Sequence, residues 1–152
     1  MHAHIGQLNR LRRMREYRPV DPPEAVVPSS WVDLEWYAET RLSPAVRVGD
    51  LLFVSGCTGA DLYPDDARAQ IRQAYRYVGE VLAAGGASWD DVVSITTCHV
   101  DLRAHIDDVL EIHREFVTKQ PYPAWTGFGV TELYEPGAIL EVSVIARVPP
   151  HR

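Results

Sequence analysis

The sequence predicts an α+β domain in which two helices pack on one face of a mostly antiparallel sheet. Two segments, one after residue 65 and one after residue 105, carry apolar side chains at helical spacing. Five other segments are short and apolar or alternate between apolar and polar residues, which is typical of strands. The length of 152 residues fits one domain with one core. Strands with two such helices favour a two-layer arrangement.

The first two predicted strands form a hairpin. They cover Ala45 to Val48 and Leu51 to Ser55, and Gly49-Asp50 between them is a two-residue turn signal. A loop from Gly56 to Pro64 follows. The next strand of this kind is the β-branched run Val92 to Val100.

Each predicted helix has one broad apolar stripe. Asp65 or Asp66 is expected to cap the first helix, and Gly85-Gly86 is expected to end it. The second helix repeats the apolar spacing of the first, with His113 where the first has Val78. Both should therefore pack on the same kind of surface. The first stripe contains Ile71, Ala74, Tyr75, Val78, Val81 and Leu82, and the second contains Ile106, Val109, Leu110, His113, Phe116 and Val117.

The segment Pro123 to Ala146 is predicted to form two strands joined by a short turn. In the second strand Glu141 is a single carboxylate among apolar residues. Alternate residues of a strand lie on opposite faces, so Glu141 is opposite the all-apolar side formed by its even-numbered neighbours. Its own face is shared with Ile139, Ser143 and Ile145.

One face of the first of these two strands carries a large ring followed by two residues without side chains. That face holds Trp125, Gly127 and Gly129, and the other holds Thr126, Phe128 and Val130. We expect the glycine face to adjoin Glu141, so that an acid–base group lies beside a cavity with an aromatic wall.

The first 40 residues are predicted to be an N-terminal extension. Residues 1–18 carry five arginines and an apolar stripe, which fits a short helix packed on this body or a neighbouring subunit, or a nucleic-acid or membrane arm. Residues 19–30 contain four prolines and are predicted to be an extended connector.

Charge and composition restrict the function classes. The net charge is −6, and without residues 1–18 there remain 10 basic and 20 acidic side chains, a poor surface for a phosphate backbone. No apolar run has the length of about 20 residues that crosses a bilayer, and the N-terminus lacks the apolar stretch of a signal peptide. A cytoplasmic protein without membrane or nucleic-acid partners is expected. Cys57 and Cys98 are expected to be free thiols.

Several motifs together resemble the RidA (YjgF/YER057c/UK114) superfamily, over about residues 42 to 148. They are Ser43-Pro44-Ala45-Val46, Phe53-Val54-Ser55-Gly56, Asp91-Val92-Val93, Pro123-Ala124, Leu133, Glu141-Val142 and Ile145-Ala146. The resemblance implies a RidA-like domain at 41–150 with a chorismate-mutase-like fold. It also implies a homotrimer with a ligand cleft between subunits. A half-apolar second face of the sheet independently favours association.

The resemblance also implies site residues. In deaminating members an arginine after Pro-Ala binds the substrate carboxylate and a later glutamate helps water attack the imine carbon. The glutamate matches Glu141, the arginine is replaced by Trp125, and Ser55-Gly56 is retained. An indole cannot make the bidentate pair of a guanidinium with a carboxylate. Cys57, Thr126 and Gly127 are further predicted substrate contacts, and the turn at 133–138 is one residue longer than usual.

These observations predict an enzyme that hydrolyses or tautomerises an enamine or imine in a catabolic or biosynthetic pathway. Glu141 would move the proton and Trp125 would stack on the substrate, with no cofactor and no metal. For Glu141 the alternative is a purely structural pair. Cys57 is alternatively a packing residue or, with a neighbouring base, a nucleophile. The whole protein is alternatively a non-catalytic small-molecule-binding regulator, or a ribonuclease that uses the arginine-rich segment.

Overall fold

A computed structural model describes residues 22–31 and 39–148, in which two long α-helices pack on one six-stranded sheet. The elements are β1 (Glu24–Val26), β2 (Ala45–Val48), β3 (Leu51–Cys57), α1 (Ala67–Ala84), β4 (Val92–Val100), α2 (Leu102–Phe116), β5 (Ala124–Val130) and β6 (Leu140–Arg147). The strand order is β1-β2-β3-β6-β4-β5. Only β4 and β5 run parallel; all other neighbours are antiparallel. The predicted α+β fold class is confirmed.

The predicted hairpin is confirmed. Val48 of β2 pairs with Leu51 of β3, so Gly49 and Asp50 form the two-residue turn. Gly49 has a φ angle of 61°, in the left-handed region where glycine is unstrained. The local sequence therefore determines this register.

Helix α1 begins and ends where the sequence predicts. The Asp66 side chain accepts a hydrogen bond from the Ala69 amide at 2.9 Å, and Gly86 has a φ angle of 78° after the last turn. All six side chains of the predicted stripe are fully buried. They pack against the faces of β3 and β6.

Helix α2 lies beside α1 on the same face of the sheet. Its buried residues are Val109 and Ile112, and the predicted stripe lacked Ile112. Arg68 of α1 forms ion pairs with Asp108 and Glu111 of α2. These pairs are partly exposed and contribute little stability, so apolar burial provides most of the contact energy.

The prediction that two strands within 123–146 are joined by a short turn is wrong. Strand β5 ends at Val130, β6 begins at Leu140, and β4 lies between them in the sheet. The intervening loop is held by Gln70 of α1, whose amide oxygen accepts from the Ile139 amide at 2.6 Å and whose nitrogen donates to the Gly137 carbonyl. Such contacts between distant residues leave no trace in local sequence spacing.

The predicted connector contributes a strand to the sheet. Glu24–Val26 pairs with β2 and forms one edge. The helix predicted within residues 1–18 lies outside the described residues. No helix in the described ranges is long and apolar enough to cross a membrane.

Candidate functional site

Glu141 lies on the open face of the sheet, opposite the helices. Its neighbours Leu140, Val142, Val144 and Ala146 are buried on the covered face, as the alternation predicts. Glu141 pairs with Cys98 of β4. The covered face completes the core, and the open face is where a carboxylate can meet a ligand.

A cavity of about 510 Å³ adjoins Glu141 on this face. Three predicted site residues, Ser55, Gly56 and Glu141, line it together. The other lining residues are Thr40, Leu42, Thr58, Tyr134 and Glu135. The cavity thus combines two carboxylates, several hydroxyls and one aromatic ring.

Gly56 provides the space that the Glu141 side chain occupies. A Cβ atom at position 56 would collide with the Glu141 carboxyl group. The cause is a bulge in β3: Val54 pairs with Val144 but Cys57 pairs with Val142, so β3 has one extra residue. Glycine is therefore required sterically at this position.

The Ser55 side chain is committed to the backbone. Its hydroxyl donates to the Ser43 carbonyl at 2.7 Å, and its amide donates to the Pro44 carbonyl. The hydroxyl keeps only acceptor capacity for a ligand. Ser55 thus shapes the cavity wall and has no spare proton.

Glu135 is a cavity residue that sequence reasoning did not single out. It lies in the 131–139 loop, and the Thr58 hydroxyl donates to its carboxylate. The one signal was the extra residue in the predicted turn at 133–138, which marked a change beside the site but not its chemistry.

Glu141 forms no ion pair with any side chain in the ranges 22–31 and 39–148.

Cys57 does not line this cavity, contrary to its predicted role as a substrate contact. Its side chain is in the core on the covered face. Burial, together with the charge of Glu141, raises the pKa of the Cys57 thiol to about 12. A thiol with such a pKa is a packing group and not a nucleophile.

Trp125 and Gly127 lie on the covered face, on the other side of the sheet from Glu141. The prediction that the glycine face adjoins Glu141 is therefore wrong for residues of the same chain. Strand β5 pairs with β4 in parallel register, which aligns Trp125 with Ile95. The Trp125 indole donates to the Thr97 hydroxyl at 3.0 Å and stacks on His113 with ring centroids 4.2 Å apart. Thr126 is on the open face but does not border the cavity.

A polar cluster holds Trp125 in this position. The Thr97 hydroxyl that accepts from the indole is also 2.7 Å from Nε2 of His99. Burial lowers the pKa of His99, and burial with the nearby charge of Arg114 lowers that of His113, so both rings favour the neutral form. Either neutral tautomer of His99 can bond to Thr97 through Nε2, and Nδ1 of His99 has no hydrogen-bond partner among the described residues.

Potential metal-ligating side chains do not form a cluster in the described part of the chain. No group of three His, Cys, Asp or Glu side chains there is arranged to hold an ion. Cys98 and His99 point to opposite faces, as predicted, since Cys98 aligns with Glu141 and His99 with Leu140. Both cysteines are free thiols, as predicted.

Comparison with known proteins gives consistent matches. The family model described as Endoribonuclease L-PSP matches residues 33–148. The RutC family protein YjgH of Escherichia coli K12 is 42% identical over 116 residues, covering 74% of this chain and 87% of that protein. The human 2-iminobutanoate/2-iminopropanoate deaminase is 28% identical over 109 residues, covering 68% and 77%.

Solved structures agree with this result. A structure of the protein YjgH has a TM-score of 0.73 at 40% identity and covers 84% of this chain and 98% of its own. A Mycobacterium tuberculosis member of the YjgF/YER057c/UK114 family has a TM-score of 0.70 at 31% identity, covering 84% and 100%.

Proposed function

The chain belongs to the RidA (YjgF/YER057c/UK114) family, and on that premise we propose that it hydrolyses an imine, or the enamine that tautomerises to it, on a substrate not anchored by a carboxylate. The observation that carries the proposal is Glu141 in a cavity of about 510 Å³ without a described ion-pair partner. A carboxylate free of structural pairing is available for proton transfer. The distant deaminase relative supports the reaction class.

The reaction balances with water alone. Glu141 accepts a proton from water as the oxygen attacks the imine carbon and returns that proton to the nitrogen, which gives a neutral carbinolamine. The carboxylate then takes the hydroxyl proton and passes it to the nitrogen as the C–N bond breaks, and a carbonyl product and ammonia leave. For an enamine, a proton first adds to the carbon next to the C–N carbon. One carboxylate serves each step, so no cofactor is needed.

Trp125 replaces the arginine that the family resemblance leads one to expect, and this sets the substrate class. An indole provides one N–H and a π face, and here the N–H is bonded to Thr97. Trp125 and Gly127 do not face Glu141 of their own chain, and β5, which carries them, is an edge strand of the sheet. We therefore propose that they reach the Glu141 cavity of a neighbouring subunit in a homotrimer. Exposed apolar side chains on the open face, such as Phe53 and Phe128, support association.

Ammonia release from a panel of freshly generated imines, with and without a carboxylate, tests the reaction. We expect wild type to favour imines without a carboxylate and Glu141→Gln to lower kcat/KM by at least about 100-fold. Thermal unfolding of Glu141→Gln should match wild type. If wild type releases ammonia from none of the panel, or Glu141→Gln retains full activity, the proposed reaction is wrong.

Subunit mixing tests the shared site. Trp125→Ala and Glu141→Gln should each be inactive alone. Co-refolded in equal amounts, they should regain about a quarter of the wild-type activity, because a site then pairs a wild-type Glu141 with a neighbour's wild-type Trp125 at random. Light scattering gives the subunit number. Mixtures as inactive as their parents would contradict a site built from two chains.

A regulatory binding protein on the same scaffold is the second candidate, since the arginine expected of deaminating members is absent. In that case Glu141→Gln changes ligand affinity and the wild type shows no turnover. Ribonuclease activity, which the name of the family model evokes, is disfavoured by the acidic surplus outside residues 1–18. Deleting residues 1–18 and measuring RNA binding against salt tests it directly.

A further inference from the structure

The cavity beside Glu141 has an unusual balance of charge. Two of its lining side chains are carboxylates, Glu135 and Glu141. No lysine, arginine or histidine lines it among residues 22–31 and 39–148, and Arg41, between two lining residues, is not part of its wall. The only formal charges among these described lining residues are negative, so a carboxylate on the ligand is disfavoured.

Glu135 is held toward the cavity. The Thr58 hydroxyl, directly after β3, donates to its carboxylate. This bond ties the 131–139 loop to the end of β3. It fixes one oxygen of Glu135 and leaves lone pairs on the carboxylate for a ligand.

Tyr134 adds an aromatic ring at the rim. It is 88% exposed, yet it borders the cavity directly before Glu135. Its ring is therefore accessible to a ligand at the cavity rim. An aromatic face with carboxylates is the combination that binds organic cations, through cation–π attraction and charge.

From these observations we infer that the cavity selects an organic cation, an ammonium or iminium group on a ligand without a carboxylate, and that Glu135 and Tyr134 determine this selectivity. The inference rests on the proposed function for the identity of the reacting group. A protonated imine carries its positive charge at the C=N bond, which makes the carbon more open to attack by water. A site that stabilises the iminium form therefore binds the substrate in its reactive state. Water and the iminium then give a carbonyl compound and ammonium.

Binding of unreactive probes tests the inference without any turnover. Benzylammonium, benzyl alcohol and benzoate share one ring and differ in charge, and NMR titration of the full chain gives their affinities. We expect benzylammonium to bind about tenfold more tightly than benzyl alcohol, benzoate to bind most weakly, and added salt to reduce the difference.

Variants assign the selectivity to residues. Glu135→Gln should weaken benzylammonium binding about three- to fivefold and leave benzyl alcohol unchanged. Glu132→Gln is the matched control, because Glu132 is an exposed carboxylate of the same loop outside the cavity wall. Tyr134→Leu should weaken the cation about twofold to threefold, while Tyr134→Phe should retain it.

Two results would overturn the inference: benzoate binding as tightly as benzylammonium, or Glu135→Gln leaving the ratio of cation to alcohol affinity unchanged. Its failure differs from failure of the proposed function. Ammonia release that depends on Glu141 but shows no preference for a charged ligand would support the proposed reaction and contradict the inferred cation selectivity. Cation binding that depends on Glu135, without ammonia release, would support the inferred ligand class and contradict the proposed reaction.

Discussion

On the covered face of the sheet, polar side chains bond to one another, whereas on the open face they line a cavity. On the covered face, the Thr97 hydroxyl lies within hydrogen-bond distance of both the His99 ring and the Trp125 indole. On the open face Glu141 borders a cavity of about 510 Å³ and has no described ion pair. The same strands thus provide one face that the helices of the chain cover and one face that the described residues leave open.

Apolar side chains also differ in exposure between the open face and the covered face. Phe53 and Phe128 on the open face are 42% and 53% exposed, while the stripe of α1 on the covered face is fully buried. Burying large rings yields roughly 25 cal/mol per Å² of apolar surface. The unused apolar area of the open face is the physical reason to propose association through it.

Tyr75→Ala should give the largest change in stability, because it removes a ring from the centre of the covered side. Tyr75 is fully buried, its ring centroid is 5.3 Å from those of Trp89 and Phe116, and its hydroxyl is 3.1 Å from Nδ1 of His113. We expect a loss of about 3–5 kcal/mol in the free energy of unfolding, measured by urea denaturation.

The control for this change is Tyr122→Ala, since Tyr122 is exposed. Its effect should stay within about 0.5 kcal/mol. Equal effects at the two positions would show that the covered side does not dominate stability.

Gly56→Ala should have an intermediate effect on stability and a large one on the site. The added methyl meets the Glu141 carboxyl group. We expect a loss of about 1–3 kcal/mol from overpacking and at least a tenfold fall in turnover or ligand affinity, since Glu141 must move. Gly129→Ala is the matched control, because a Cβ there meets no atom within 4 Å. Wild-type behaviour of Gly56→Ala would contradict the described contact.

His99→Gln should produce the smallest effect, a flatter dependence of stability on pH. Burial lowers the pKa of His99 in the folded protein, so the unfolded state binds more protons as the pH falls below about 6.5. Wild type should therefore lose stability as the pH drops from that value toward the folded pKa. The change in urea midpoint between pH 7.5 and pH 5 measures it.

His99→Gln should lose less over that interval, because a glutamine does not titrate and its amide can replace Nε2 toward Thr97. Part of the slope should remain, since the pKa of His113 is lowered as well. An unchanged slope in His99→Gln would mean that the buried ring does not supply the pH dependence.

Local patterns predicted much of this structure. The hairpin at Gly49-Asp50, the cap at Asp66, the stripe of α1 and the outward side of Glu141 all follow from short-range rules. Such rules work here because turn geometry, helix capping and strand alternation depend on neighbouring residues. Ser55, Gly56 and Glu141, which the family resemblance groups in one site, border the same cavity.

The sequence by itself determined the fold class, the two helices and the face on which Glu141 lies, because each depends on periodicity and local backbone preference. Only the tertiary structure decided that β4 separates β5 from β6, which moves Trp125 to the other side of the sheet from Glu141. It also decided that Cys57 is a core residue and that Glu135 borders the cavity. Strand order, the bulge in β3 and the loop held by Gln70 arise from contacts between distant residues, and spacing along the chain does not encode them.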